Sequence, residues 1–232
     1  MFYIILDNVS SLSKNVVVSH RPSIPAPEPD YTDIVVDGVD GSYTEFKGTY
    51  RNIIVPIEFH YITNPNNWHQ IWRDIKSWLL KGGIRKLIFS DDTNYYRVVK
   101  KITLDTNERE FAQTGKFKAL FTFSPYEYLC LGESEMTLEQ ALFNPYDTCE
   151  PTYIIKGEGN CTLTINGNEM SANVSDNLVI NTHLKLAYKD DGTLRNTYVK
   201  GNYTDLLLFG GFNAISITEG FDLKVIPNWR CL

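Results

Sequence analysis

Residues 51–61, Arg-Asn-Ile-Ile-Val-Pro-Ile-Glu-Phe-His-Tyr, decide the fold class of the first half of the chain. Large apolar side chains occupy every second position from Ile53 to Tyr61, and Pro56, Glu58 and His60 stand between them. A period of two puts one set of side chains on a single face of a strand. The stretch therefore predicts a β-strand with one buried face.

Shorter apolar runs on both sides of this stretch have the same character. They predict strands at residues 4–6, 16–18, 34–36, 86–89, 95–99 and 117–123. Turn residues at 37–38, 40–41 and 91–92 separate several of these runs. The prolines of residues 21–29 lack the backbone donors that a central strand or helix needs. We expect that segment to be an extended connector, or an arm that lies on a neighbouring molecule.

One segment of the first half has a helical period. Residues 67–81 predict an α-helix with one apolar face, formed by Trp68, Ile71, Trp72, Ile75, Trp78 and Leu79. Asn66 or Asn67 can cap its start, and the glycines at 82–83 can end it. Three tryptophans on one helix face could form a binding surface, but we favour the interpretation that this face packs against a sheet.

The composition changes between residues 132 and 151, where Asn144-Pro145 and Glu150-Pro151 interrupt regular structure. Within it, Thr137 and Gln140 have capping-box spacing, which predicts a helical turn at residues 137–142. We place the boundary here, with one domain at residues 1–131 and another at 132–232.

The second half reads as short strands separated by turns. Strands are predicted at residues 153–155, 161–165, 178–181, 187–188, 206–209, 214–217 and 221–226. Asn166-Gly167 is a strong hairpin turn. This spacing is typical of an antiparallel β-sandwich.

The bulk composition excludes several classes of function. The formal net charge is −6 and the basic residues form no long run, so specific nucleic-acid binding is not expected. No apolar run approaches the roughly 20 residues that cross a membrane, and the apolar start lacks the basic residues of a secretion signal. The four cysteines form no CxxC pair, so we expect buried thiols rather than zinc ligands.

Residues with catalytic chemistry form no recognisable set. The sequence has no GxSxG, HExxH or phosphate-binding loop motif. Glu58, His60 and His69 could share a metal ion only if the intervening turn folded back. The carboxylate pairs at 91–92 and 190–191 fit turns better than acid–base catalysis. We therefore predict no catalytic, cofactor-binding or metal-binding residues, and a protein that is not an enzyme.

Short patterns along nearly the whole chain occur in a characteristic order. None is specific alone, but together the sequence resembles the distal tail proteins of siphophages. The patterns are residues 21–25, 40–41, 78–79, 87–92, 95–96, 121–126, 143–144, 155–159, 163–167, 210–213 and 227–232.

The resemblance implies a fold and an assembly. The first domain would be a β-sandwich or barrel with one flanking α-helix, related to tail-tube proteins, and the second a galectin-like β-sandwich. Six copies would form a ring, or hub, at the distal end of a long non-contractile tail in the virion, after assembly in the host cytoplasm. The first domain would form the ring, and DNA would pass through its lumen without specific binding.

The resemblance also implies partners. The ring would join the tail-tube protein to the tail-tip proteins, and the second domain would face outward as a docking platform for receptor-binding or baseplate proteins.

Two other readings remain open at this stage. A β-sandwich could be a carbohydrate-binding module that acts in host-surface recognition. A tail-associated wall hydrolase would need paired carboxylates in a cleft or a metal triad.

Overall fold

The computed structural model describes residues 2–137 and 141–232, which separate into two compact units. The first unit ends at Glu127 and also includes Leu232, whereas the second comprises Tyr128–Cys231. The division between these units lies between Glu127 and Tyr128, four residues before the predicted domain boundary. Both units consist mainly of β-strands, and the described residues contain one α-helix, in the first unit. The prediction of a mainly β protein with one helix beside the N-terminal sheet is confirmed.

The first unit contains nine strands and the helix. They are β1 (Ile4–Leu6), β2 (Val9–Ser10), β3 (Val16–Val18), β4 (Pro29–Ile34), β5 (Tyr43–Tyr50), β6 (Ile53–Ile62), α1 (Trp68–Leu79), β7 (Arg85–Phe89), β8 (Asp92–Arg109) and β9 (Thr114–Leu129). Seven of the strands form one sheet in the order β2-β1-β7-β8-β9-β6-β3. The other two, β4 and β5, pair only with each other. No described helix is both long and apolar enough to cross a membrane.

The alternating stretch behaves as its pattern predicts. Along β6, the side chains from Ile53 to Tyr61 at every second position are buried, and those between them are half-buried or exposed. Strand β9 runs antiparallel beside it, and the ring of Phe59 stacks on Phe117 with 5.0 Å between centroids. This face of the sheet is the centre of the first unit's core.

A single 3-10 turn precedes the helix. Pro65–Asn67 form a 3-10 turn, and the Asn64 side chain accepts a hydrogen bond from the backbone N–H of Asn66 at 3.1 Å. Asn67 occupies the N-cap position of α1, as predicted, but its side chain makes no capping hydrogen bond, and Asn64 caps the preceding 3-10 turn instead. Trp68 and Trp78 are buried and Trp72 is half-buried against the core, so the tryptophan face packs on the sheet.

A buried arginine fastens the end of this helix to the sheet. The Arg85 side chain is 5% exposed, and its Nη1 donates to the carbonyl oxygens of Trp78 and Leu79, both at 2.9 Å. Its Nε lies 2.6 Å from a carboxylate oxygen of Asp7. Burial raises the pKa of Asp7, but hydrogen bonds from Arg85 and from the backbone of Lys86 outweigh it, and the net pKa is lowered. Arg85 thus satisfies helix carbonyls that have no partner within the helix.

Gly115 gives a test of how closely the helix packs. A Cβ added at Gly115 would overlap the ring atoms of Tyr61 and Trp68. We expect Gly115→Ala to lower the free energy of unfolding by about 2–3 kcal/mol, because overpacking forces neighbouring side chains off their rotamers. Urea unfolding followed by tryptophan fluorescence measures this change. Gly82→Ala is the control, because its added Cβ meets no atom within 4 Å, and equal stability of both variants would contradict the close packing.

The second unit contains the remaining strands. They are β10 (Met136–Thr137), β11 (Ala141–Asn144), β12 (Thr152–Ile165), β13 (Asn168–Asn181), β14 (Leu186–Tyr188), β15 (Val199–Lys200), β16 (Gly211–Ile217), β17 (Asp222–Ile226) and β18 (Arg230–Cys231). One sheet runs β10-β17-β12-β13-β14, with β15 beside β13 and with β16 between β11 and β12. Residues 137 and 141–142 lie in strands, which contradicts a helical turn at 137–142, while residues 138–140 lie outside the described chain.

The predicted hairpin turn is the centre of this unit. Asn166 and Gly167 both have positive φ, 52° and 87°, as a tight two-residue turn between β12 and β13 requires. The prediction of a strand at residues 206–209 is wrong. Residues Tyr203–Leu206 form a 3-10 turn in which the Asn202 side chain accepts the Thr204 N–H, and within residues 206–209 only Leu208 makes a β-bridge, to Cys149. Tyr153 fixes this segment by donating its hydroxyl to the Leu206 carbonyl at 2.7 Å, and burial raises the pKa of Tyr153.

Candidate assembly surface

Strands β4 and β5, with the residues between them, form a hairpin that we call the outer hairpin (residues 29–50). Its register runs from Pro29 opposite Tyr50 to Ile34 opposite Tyr43, with an irregularity after Pro29. Neither strand pairs with another strand of the first unit. The outer hairpin is therefore a two-stranded ribbon with two edges and two faces.

Local sequence explains the shape of the ribbon. The tip contains a turn in which the Val39 N–H donates to the Val36 carbonyl at 3.2 Å, and Gly38 supplies a φ of 83° that other residues rarely adopt. At the base, Lys47 and Arg51 lie 3.2 and 3.3 Å from the carboxylate of Asp30. The hydrogen bond from Lys47 lowers the pKa of Asp30. The charged base and the glycine tip hold the strands in register.

The outer hairpin exposes an unusual number of large apolar side chains. Val35 is 75% exposed and Tyr43 is 62% exposed. Five more are exposed along the same ribbon: Tyr31, Ile34, Val36, Val39 and Phe46. A two-stranded hairpin is marginally stable in water, and a cluster of exposed apolar side chains marks a place where another surface binds.

Aromatic contacts connect the ribbon to its own unit. The rings of Tyr31 and Phe46 lie 5.7 Å apart, Phe46 lies 5.7 Å from Tyr50, and Tyr50 lies 6.2 Å from Tyr126. This row stiffens one face of the hairpin, because ring pairs at such distances attract each other. The other face carries Ile34 opposite Tyr43, so apolar side chains are exposed on both faces of the ribbon.

The sequence did not indicate most of this surface. The predicted strand at residues 34–36 is wrong. Strand β4 ends at Ile34, and Val35 and Val36 belong to the tip of the hairpin. Strand β5 was not predicted, because its aromatic residues Tyr43, Phe46 and Tyr50 do not keep a period of two. The predicted turns at 37–38 and 40–41 do lie in the tip. The apolar residues beside these turns could have indicated the surface, if they had been interpreted as exposed instead of as part of a buried strand.

The proline-rich segment precedes the outer hairpin. Residues 21–28 form neither helix nor strand, Pro22 is buried, and Ile24 packs against the core of the first unit. The structure thus shows an extended connector up to residue 28.

The residues considered for metal binding lie in other interactions. His60 Nδ1 is 3.3 Å from the Ser19 hydroxyl, and Glu58 is 3.7 Å from Lys116. Over residues 2–137 and 141–232, no three His, Cys, Asp or Glu side chains lie close enough to hold a metal ion. Glu58, His60 and His69 therefore form no such set.

Asp91, Asp190 and Asp191 lie in turns, and Asp92 is the first residue of β8. Asp91 forms an ion pair with Arg21 at 2.7 Å, and Asp191 accepts the Thr193 N–H at 2.8 Å. That backbone hydrogen bond lowers the pKa of Asp191. Cys149 and Cys161 are buried free thiols, and burial raises the pKa of both.

Comparisons with known proteins give matches in fold but none in sequence. Neither the protein-family models nor the curated protein sequences give a match. Among solved structures, the chain is similar to the Dit protein (gp 19.1) of phage SPP1, described as a paradigm of the hub adsorption apparatus in phages that infect Gram-positive hosts. The TM-score is 0.72 at 11% sequence identity, over 97% of this chain and 98% of that one. This chain therefore has the fold of the SPP1 Dit protein.

Proposed function

We propose that this chain is a non-enzymatic structural protein of a phage tail, and that it forms the hub at the distal end of a long non-contractile tail. The observation that carries the proposal is the likeness in fold to the SPP1 hub protein over nearly the whole length of both chains. The order of short sequence patterns is similar to that of siphophage distal tail proteins, and it supports the proposal independently of the fold.

We further propose that six copies close into a ring through the first domain, residues 1–131. A closed ring is built from head-to-tail contacts, so each copy presents two different surfaces. The outer hairpin supplies one of them, because its exposed apolar side chains would be buried on the next copy. Six copies of a chain with net charge −6 carry −36 together, and this charge disfavours DNA adhesion in the lumen.

The proposed partners follow from the position of a hub. The ring would join the tail-tube protein on one side to the tail-tip proteins on the other. The second domain, residues 132–232, is proposed to be a galectin-like β-sandwich that docks receptor-binding or baseplate proteins. The protein would thus reside at the tip of the tail in the virion.

The native mass of the purified chain tests the ring. We expect light scattering to give the mass of six chains and negative-stain images to show annular particles. If the chain is monomeric alone, the same measurements are made after co-expression with the tail-tube and tail-tip proteins of the same phage. A chain that remains monomeric under both conditions contradicts the proposed hub.

A further inference from the structure

The second unit carries a groove on the outward face of its sheet, which we call the polar groove. It crosses neighbouring strands, because Thr162 on β12 lies opposite Ser171 on β13, and Ser171 lies opposite Lys200 on β15. Thr218 extends it on the other side, where its hydroxyl accepts the Thr162 N–H at 2.8 Å. The groove is open to solvent and has a volume of about 570 Å³, within the range of clefts that bind small ligands.

The lining is rich in neutral hydrogen-bonding groups. Asn160 and Asn173 lie opposite each other, and the Asn173 side-chain N–H donates to the Asn160 side-chain oxygen at 2.7 Å. This contact orients both amides and leaves the Asn160 amide nitrogen and the Asn173 amide oxygen as a neighbouring donor and acceptor. Hydroxyls from Thr162 and Ser171 line the groove beside them.

One aromatic ring lies at the side of the polar groove. Tyr198 is 43% exposed, and the guanidinium carbon of Arg195 lies 4.6 Å from the centre of its ring. A cation over one face of a ring is attracted by its electrons and holds its orientation. The groove therefore combines a fixed, partly exposed ring with a row of amides and hydroxyls.

We propose that the polar groove binds a neutral saccharide, with its hydroxyls on the Asn160–Asn173 pair and one ring face on Tyr198. Vicinal hydroxyls of a sugar need adjacent donors and acceptors, and the less polar face of a pyranose packs on an aromatic ring. This inference goes beyond the proposed hub role and does not depend on ring formation.

Other ligands fit the groove less well. Lys200 is the one charged side chain among its described lining residues, which is too little for a nucleic acid. Strands β12, β13 and β15 beneath it are paired with one another, so an extended peptide cannot add a strand between them. Apart from Tyr198, the described lining has no large apolar side chain to hold a lipid or a hydrophobic anchor.

A printed array of defined oligosaccharides, probed with the full chain, tests the proposal. We expect binding to neutral glycans, and titration of the best free saccharide is then followed by NMR on the labelled chain. Tyr198→Ala and Asn173→Ala should each weaken its affinity by about tenfold. Tyr198→Phe should retain most of the affinity, because the ring remains.

Phe212→Ala is the matched control, because Phe212 is the most exposed aromatic residue of the second unit and does not line the groove. Thermal melts check that every variant is folded. No neutral glycan above background on the array would overturn the proposal, as would binding that Tyr198→Ala and Asn173→Ala leave unchanged. Rings that form without glycan binding would contradict only the saccharide site. Glycan binding by a chain that forms no rings would contradict only the proposed hub.

Discussion

Replacing Val35 and Tyr43 together with serine is expected to abolish assembly of the chain into rings while the monomer stays folded. These are the most exposed large apolar residues of the outer hairpin, so their loss removes little packing within the chain. An anchor residue buried at an interface contributes about 2 kcal/mol or more. Two such anchors at each contact would weaken association by roughly a thousandfold.

Light scattering at several protein concentrations measures the effect, and thermal melts report the fold of the monomer. The matched control is Leu80→Ser with Ile84→Ser, because these two apolar residues of the same unit are also exposed and lie outside the hairpin. Rings that form as well in the hairpin variant as in the control would show that the hairpin does not hold neighbouring copies together.

Arg85→Met is expected to cause the largest loss of stability of any single substitution considered for the first unit, about 3 kcal/mol. Methionine keeps the apolar length of the side chain but leaves the carbonyl oxygens of Trp78 and Leu79 without their donor. The carboxylate of Asp7 also loses its ion pair, although it is 38% exposed and water replaces part of that interaction.

Urea unfolding followed by tryptophan fluorescence suits this test, because three of the four tryptophans lie on α1. Arg73→Met is the control, since Arg73 lies on the exposed side of the same helix. Equal stability of the two variants would contradict the role of Arg85 in holding the helix end.

The ion pair between Asp7 and Arg85 makes the stability of the fold depend on pH. The folded pKa of Asp7 is lowered, so its charge stabilises the folded state above the unfolded pKa of about 4, and this stabilisation is lost as pH falls through the lower folded value. The difference in stability between the natural chain and Asp7→Asn should therefore be constant near neutral pH and shrink below about pH 4. A difference that persists under acid conditions would rule out the charge as its cause.

Sequence periodicity was sufficient to predict the strands and the helix that bury one face. The alternation in β6 and the helical face of α1 both predicted which side chains enter the core. The ends of the long strands were not predicted. Ile102 and Leu104 of β8 still pack against the core, but the residues from Asp105 to Arg109 are polar and mostly exposed, and no apolar pattern marks a strand there. Backbone hydrogen bonds hold an exposed strand end of this kind, and the side-chain pattern does not indicate them.

The candidate assembly surface was harder to predict for a related reason. Apolar residues such as Val35 and Val36 were read as parts of a buried strand, although they lie in an exposed tip. A sequence pattern records that a side chain avoids water, but not whether its own chain or another molecule covers it. The contact between Asp7 and Arg85 was likewise invisible, because it joins positions far apart in sequence.

The order of strands in the first sheet has a consequence for how that unit can be made. Strand β9 stands between β8 and β6, and so connects the group β2-β1-β7-β8 to the pair β6-β3. While the chain is being synthesised, both groups can be present, yet the sheet is incomplete until residues 114–129 have emerged. Fragments that stop after α1 or β8 lack this central strand and leave the edge of β6 that it covers unpaired, so useful truncations of this protein must keep β9.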